Sequence, residues 1–496
     1  MSVLLAILFS VVAALLVDGI VIPRRQFMRD SAGIWLLLLM ILTGFGLFLA
    51  LCANPLLAAL ITLSLHLLLA VVSNAKQRML GEPLHFSDFA LVSGVFRHPQ
   101  FYFSALAAWQ KLAGVLALGA LLIGFVMVYH LVPEMHLVGL CIAGVAAALL
   151  IMSLRSAPVA ALARKPLAEE DVAKLGLLPV LLLYWLRWRE SEDQPVPHAA
   201  DPGHGDGGEE PEVIVVIQCE SFADPVELFG EPSYALPGLN KARSEAIQAG
   251  NLLVSGFGAY TMRTEYGVLF GRSEEELGFR RYDPFLTAAK EVEYALSFKL
   301  ALHKWRSLFV HPHDMRFYNR NRILPAAGFD ELVSEDQFDP PEAGTGRYVS
   351  DRAVADKVLE LARNVEGPTF IYAVTMENHG PWSAQDDHAG EGAVQSYDRL
   401  VRAGDAMLSQ LDQGLKSLQK PALLVFFGDH RPSIPGASEP GGDRHTPYVM
   451  LRYDRQGGIV RGNNAREDLT PAQLHHLILR QTKTGSGLEA GQNTVA

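Results

Sequence analysis

Five apolar runs crowd the first 155 residues, at roughly 2–22, 34–53, 56–73, 112–132 and 137–154. Each is about long enough to cross a hydrocarbon layer of ~30 Å as a helix rising about 1.5 Å per residue. Runs of this kind cannot share one soluble core, so the chain divides into a multi-pass α-helical membrane region and a remainder. The first run has no basic start and no small-residue cleavage site, and it reads as an anchor rather than a removable signal. Half of the 496 residues are hydrophobic and only 19% are charged, as such a division requires. Between the third and fourth runs, residues 76–111 contain GEPLHFSDF, a mixed stretch suited to the membrane interface.

Basic residues set an orientation. Arg24, Arg25 and Arg29 follow the first run, Lys76 and Arg78 the third, and Arg155, Arg164 and Lys165 the fifth. Excess positive charge marks cytoplasmic loops, which places the amino terminus outside and everything after five crossings inside. A sixth crossing at 175–186, LGLLPVLLLYWL, would carry the remainder out again. That run is short, holds Pro179 and is flanked by Arg187 and Arg189, so it reads equally as an interfacial helix. Residues 189–212 are polar and rich in Pro, Gly and acid, a flexible linker in which His204 needs no role. The expected organisation is a membrane region over 1–155, an interfacial helix and linker over 156–212, a catalytic domain over 213–483 and a polar tail over 484–496.

From residue 213 the texture becomes α/β. VIVVIQ (213–218), NLLV (251–254), SLFV (307–310), TFIYAVTM (369–376) and ALLVFFG (422–428) are short apolar runs of buried-strand type. Helical patterns alternate with them, including DRAVADKVLELARN and YDRLVRAGDAMLSQLDQGLKSL. Such alternation predicts a largely parallel sheet covered by helices, with ligands bound beyond the carboxyl ends of the strands. Those ends carry Cys219–Glu220–Ser221; a glycine turn leading to Thr261; His311 and His313; Glu377–Asn378–His379; and Asp429–His430–Arg431. Each alone has a plain structural explanation, such as a helix cap at Glu220 or Thr261. Together they offer carboxylate, imidazole and hydroxyl donors, a hard set suited to Mn²⁺ or Mg²⁺, with Zn²⁺ as an alternative. Thr261 at a helix amino end would face an incoming anion, and a metal on its oxygen would make it a nucleophile.

Glu220–Ser221, Thr261-x-x-x-Glu265, His311 with FYNR (317–320), GFD (328–330), ENHGPW (377–382) and GDHRP (428–432) follow a recognisable order. It resembles that of the lipoteichoic acid synthase-like phosphoglycerol transferases, membrane-anchored members of the alkaline phosphatase/sulfatase superfamily. The resemblance implies a sulfatase-like α/β catalytic domain behind five membrane helices, on the extracytoplasmic side of the cell membrane. It implies one divalent metal, Mn²⁺ first, on Glu220, Thr261, Asp429 and His430. Thr261 would be the nucleophile, and His311, Arg320 and His379 would hold glycerol phosphate. Tyr318 and His445 stand as outer candidates, Tyr318 where the relatives carry Trp. A second departure is His313, where an acidic residue is usual. The implied donor is phosphatidylglycerol and the implied acceptor a glycan or polyol.

Other classes are excluded or kept open by residues. A net charge of −11 gives a nucleic-acid partner no electrostatic support. Three cysteines, Cys52, Cys141 and Cys219, form no disulfide framework or zinc spacing. The sulfatase hallmark of Cys or Ser followed by x-Pro-x-Arg is missing, the chain reading TMRT from Thr261. Phosphoethanolamine transfer, or phosphodiester or sulfatase-type hydrolysis, at the same metal remains the alternative. A binding domain without catalysis would be expected to lack a ligand or the nucleophile, and all four positions are filled. Thr264 reads as a helix residue, and His475 and His476 as parts of another helix.

Overall fold

The structure is a computed structural model. It describes residues 2–24, 29–91, scattered positions between 112 and 123, 132–192, 209–341, 347–382, 392–462 and 465–482. Most of the fourth apolar run, positions 92–111 of the interfacial stretch, most of the linker and the polar tail lie outside the described residues, as does Arg25. The chain separates into two compact units, Met1–Gln194 and Pro195–Ala496.

Among the described residues of the first unit, four of the apolar runs form helices: α1 (Val3–Gly19), α2 (Ser31–Cys52), α3 (Pro55–Leu80) and α4 (Pro133–Arg155). The last three are long and apolar enough to cross a membrane, by length and composition, whereas α1 has 17 residues. Asn54 starts α3 by accepting the N–H groups of Leu56 and Leu57, with Pro55 where no donor is needed. Helices α2 and α4 meet backbone to backbone. A Cβ on Gly46 would stand 2.4 Å from the nitrogen of Ala143, and one on Gly139 would stand 2.2 Å from that of Ala50. Small residues give apolar helices their close approach where lipid offers no hydrophobic drive. After the short α5 (Ala168–Leu175), the run at 175–186 falls almost wholly in α6 (Leu177–Glu192), of only 16 residues. Arg29 does more than orient: it pairs with Asp18 at 2.9 Å and donates to the carbonyls of Val172 and Ala173. In the GEPLHFSDF stretch, Asp88 pairs with Lys76 at 2.5 Å, and Phe86 packs on Trp188 of α6.

The second unit is built on one eight-stranded sheet in the order β4-β3-β5-β1-β6-β7-β2-β8. The strands are β1 (Val213–Cys219), β2 (Gln248–Leu252), β3 (Arg306–Val310), β4 (Glu331–Val333), β5 (Thr369–Val374), β6 (Ala422–Gly428), β7 (Thr446–Tyr453) and β8 (Ala465–Arg466). The first five in spatial order run parallel, and β7 alone is antiparallel to its neighbours β6 and β2. Strands β1, β5 and β6 are buried at every residue, as central strands covered on both faces must be. Around the sheet lie α7 (Thr261–Phe270), α8 (Arg320–Ala326), α9 (Asp351–Arg363), α10 (Ala393–Leu418) and α11 (Pro471–Arg480). Helix α9 shows the cause plainly: Ser350 caps it, and Val354, Ala355, Val358, Leu359 and Ala362 form its buried stripe.

Two strand expectations shift. The run at 251–254 is the tail of β2, which ends at Leu252 where its partner β7 begins at Thr446. The run at 369–376 stops at Val374, freeing the next residues for the site.

Candidate active site

Strands β1 and β6 are parallel neighbours in register, with Cys219 opposite Gly428. The residues that follow, Glu220 and Asp429, therefore leave the sheet side by side. Gly428 is required there, since a Cβ would fall 1.8 Å from the carbonyl oxygen of Phe222. The N–H of Ser221 donates to Oδ1 of Asp429 at 2.8 Å, and its hydroxyl donates to Oε1 of Glu220 at 2.9 Å. His430 Nε2 lies 3.4 Å from Oε1 of Glu220 and 3.7 Å from Oδ2 of Asp429. One donor atom from each of Glu220, Asp429 and His430 lies within 4.8 Å of the others, and all three side chains are buried.

The electrostatics of this cluster are those of a cation cradle. Burial and the adjacent Glu220 carboxylate push Asp429 up to about 7. For His430, burial works downward, but Asp429 and Glu220 outweigh it and hold the imidazolium up to about 9. Burial works upward on Glu220, and His430 outweighs it, leaving the carboxylate below its usual range. Oδ2 of Asp429 is buried without a hydrogen-bond partner. Two buried carboxylates, one imidazole and an orphaned oxygen fit a divalent cation by donor chemistry and by unmet charge.

Thr261 stands against this cluster. Gly258, at φ +64°, turns the chain and donates its N–H to the carbonyl of Arg431 at 2.8 Å. Tyr260, at φ 80°, takes the cap position of α7 without a side-chain bond, and Thr261 is the first helical residue. The Thr261 hydroxyl is thus not a cap; it faces Oε2 of Glu220 at 3.5 Å. Thr264, one turn on, is buried and donates its hydroxyl to the carbonyl of Asp429 at 2.8 Å. Below, Gln218 Nε2 donates to the Thr261 carbonyl at 3.3 Å and Tyr372 donates to Oε1 of Gln218 at 2.6 Å.

The substrate side departs further from expectation. His311 is buried, with Nδ1 3.0 Å from the Val374 carbonyl and Nε2 3.0 Å from Nη1 of Arg320. Arginine only donates, so Nε2 is the acceptor and the proton sits on Nδ1. Burial and the Arg320 charge hold this imidazole well below its ordinary range. In this state His311 has no proton for a departing oxygen. Nor does Arg320 present a free fork to phosphate: Nε and Nη2 grip Glu265 at 3.0 and 2.5 Å. Tyr318 and Asn319 both have positive φ, and the Tyr318 ring lies 5.0 Å from the Arg320 guanidinium. His379 is half-buried, donates Nδ1–H to the Gly380 carbonyl at 2.8 Å, and lies close enough to Glu220 to favour its ionised form. His313 is linked to it through rings, 6.4 Å from Tyr348, which is 5.8 Å from His379. His445 contacts Arg431 and Glu227 instead of the metal-type cluster. Glu377 accepts the N–H of Asp351 at the start of α9, a structural role.

Sequence reasoning misses the partner of Arg320. Along the chain, Glu265 shows only its spacing from Thr261, and nothing there says which cation it meets.

A family model described as Sulfatase matches residues 212–479. The chain is similar to the capsular polysaccharide biosynthesis protein RkpI of Rhizobium meliloti (strain 1021), at 31% identity over 455 residues, covering 88% of this chain and 84% of that one. Among solved structures, it resembles the integral membrane protein lipooligosaccharide phosphoethanolamine transferase A from Neisseria meningitidis, with a TM-score of 0.50 and 12% identity over 92% of this chain and 97% of that chain. At that identity the likeness concerns the fold.

Proposed function

The chain belongs to the sulfatase family, and from that premise we propose that it is a membrane-anchored, metal-dependent phosphoglycerol transferase using phosphatidylglycerol as donor. The observation that carries this reading is the Thr261 hydroxyl, at a helix amino end, directed at a buried Glu220–Asp429–His430 cluster with one orphaned oxygen. Glu220, Asp429, His430 and Thr261 would hold the metal, Mn²⁺ first. Bound there, a divalent cation supplies positive charge that favours ionisation of the threonine hydroxyl and the charge developing on phosphoryl oxygens.

The residues then divide the work. Thr261 Oγ1 attacks phosphorus; the Oγ–P bond forms as the P–O bond to diacylglycerol breaks, and a proton ends on the departing oxygen. His311 is committed on both nitrogens, and His379 holds the Gly380 carbonyl through Nδ1, so delivery of that proton would use a proton on Nε2 of His379. The N–H groups opening α7 face the phosphoryl oxygens. In the second displacement an acceptor hydroxyl forms its own bond to phosphorus, and Thr261 leaves with the proton. The name of the Rhizobium relative supports a glycan as acceptor. The catalytic unit works on the extracytoplasmic side, where acceptor glycans are assembled onto the envelope.

The test is lipid extraction after incubating purified full-length protein with Mn²⁺ and phosphatidylglycerol. Release of diacylglycerol is expected. Release from phosphatidylethanolamine alone would exchange the donor, and release from neither would overturn the reading.

A further inference from the structure

Arg320 is the one guanidinium that the sequence motifs assign to the substrate phosphate, yet its side chain is 2% exposed and its fork closes on Glu265, which is 0% exposed. The pairing is bidentate, Nε to Oε1 and Nη2 to Oε2, while Nη1 goes to His311. Glu265 sits on α7, one helical turn after Thr261, so the same helix that carries the hydroxyl also fixes the arginine. Tyr318 covers the guanidinium at 5.0 Å and Phe309 lies 5.9 Å from it. We propose that Glu265 is a positioning and specificity-determining residue that, through Arg320, makes this site select phosphodiesters over phosphomonoesters; the proposal rests on the phosphoryl-transfer reading above.

The grounds are charge and geometry. A free arginine fork beside a helix amino end and a divalent cation would suit a phosphomonoester, whose dianion offers two charged oxygens to a bidentate grip. Glu265 cancels that charge at hydrogen-bond distance, in an interior where screening is weak. It also occupies the Nε–Nη2 edge, and His311 takes one Nη1 hydrogen, so Arg320 keeps one N–H on each Nη for a ligand. What remains matches a phosphodiester, a monoanion with two esterified oxygens. A buried ion pair contributes little net stability over well-packed apolar side chains, so stability alone does not account for it.

The experiment compares wild type with Glu265→Gln in full-length, Mn²⁺-loaded protein, by calorimetric titration of inorganic phosphate and of dimethyl phosphate, above the second ionisation of phosphate. The amide is isosteric but uncharged, so Arg320 recovers its charge and part of its fork. The preference for inorganic phosphate over dimethyl phosphate is expected to rise about tenfold or more, the scale of one charge-assisted hydrogen bond. An unchanged preference, or equal weakening of both ligands, would overturn the proposal. The double variant Glu265→Leu/Arg320→Met removes both charges and guards against misfolding of the first. Its preference should stay within about threefold of wild type because the net charge is unchanged, and a larger shift would also overturn it. If wild type releases no diacylglycerol from any lipid but the titrations shift as stated, Glu265 keeps its role and only the donor assignment falls.

Discussion

The hydroxyl of Thr264 donates to the backbone carbonyl of Asp429 at 2.8 Å, tying the helix that carries Thr261 to the strand end that carries the metal-type cluster. Both groups are buried, so the bond cannot be exchanged for water. The two threonines of this helix are thereby separated in kind, one facing the cluster and one bolted behind it.

Replacing Thr261 by Ala should leave folding intact and lower kcat by several orders of magnitude, on the scale of deleting a covalent nucleophile. Thr264→Val should cost about 1–3 kcal/mol of stability by orphaning a buried acceptor, with most activity kept. Mass spectrometry of protein quenched with donor but no acceptor should find a glycerol-phosphate adduct on the peptide containing Thr261. Near-normal turnover by Thr261→Ala would remove the nucleophile from this mechanism.

Asp429→Asn should weaken Mn²⁺ binding by at least about 10-fold, because a carboxylate on the metal matters no less than outer partners, whose loss costs about 10–100-fold. The apo protein should melt no lower than wild type, since the substitution relieves the repulsion between Asp429 and Glu220. Calorimetric Mn²⁺ titration together with thermal melts in EDTA checks both halves. Undiminished affinity would place the metal elsewhere.

In the metal-free protein the contribution of Asp429 and His430 to stability should fall as pH rises, while His311, held well below its ordinary 6.5, works the other way at lower pH. Asp429, held up to about 7 from 3.8 by burial and Glu220, binds its proton more tightly folded than unfolded, so its contribution is lost as pH rises toward about 7. His430, held up to about 9 from 6.5, contributes fully below its unfolded value and loses that contribution as pH rises through about 9. A bound cation replaces those protons. The gap in melting temperature between Mn²⁺-loaded and EDTA-treated protein should therefore widen across this window; a constant gap would contradict the assignment.

Gly139→Leu should separate α2 from α4, because the new side chain has no room beside the Ala50 backbone. A loss of about 1–3 kcal/mol or more is expected for overpacking of this kind. Thermal denaturation in detergent measures it, with Gly144→Leu as control, a position whose Cβ meets nothing within 4 Å.

A reporter inserted between the two units, near Pro195, should be active only when exported. The charge count after five crossings argues the other way, so activity confined to the cytoplasm would overturn the lipid donor as well as the topology.

Much is determined by the sequence alone, because local pattern acts locally. Apolar runs of about twenty residues dictate helices, four of which the described residues contain. Fully apolar strands dictate a covered parallel sheet, and the residues following them have to gather at one edge of it. That is why Glu220, Asp429 and His430 gather: parallel neighbours in register deliver their next residues to one place, whereas Thr261 arrives from the turn that follows β2. Partners across the fold are a different matter. Which carboxylate Arg320 meets, which nitrogen of His311 keeps its proton, and which threonine of TMRT faces the cluster depend on side chains brought together from α7, β3 and α8. A hydrogen bond is decided by a few tenths of an ångström and by direction, and spacing along a chain carries neither. Only the tertiary structure turns Arg320 from a phosphate fork into one half of a buried pair with Glu265.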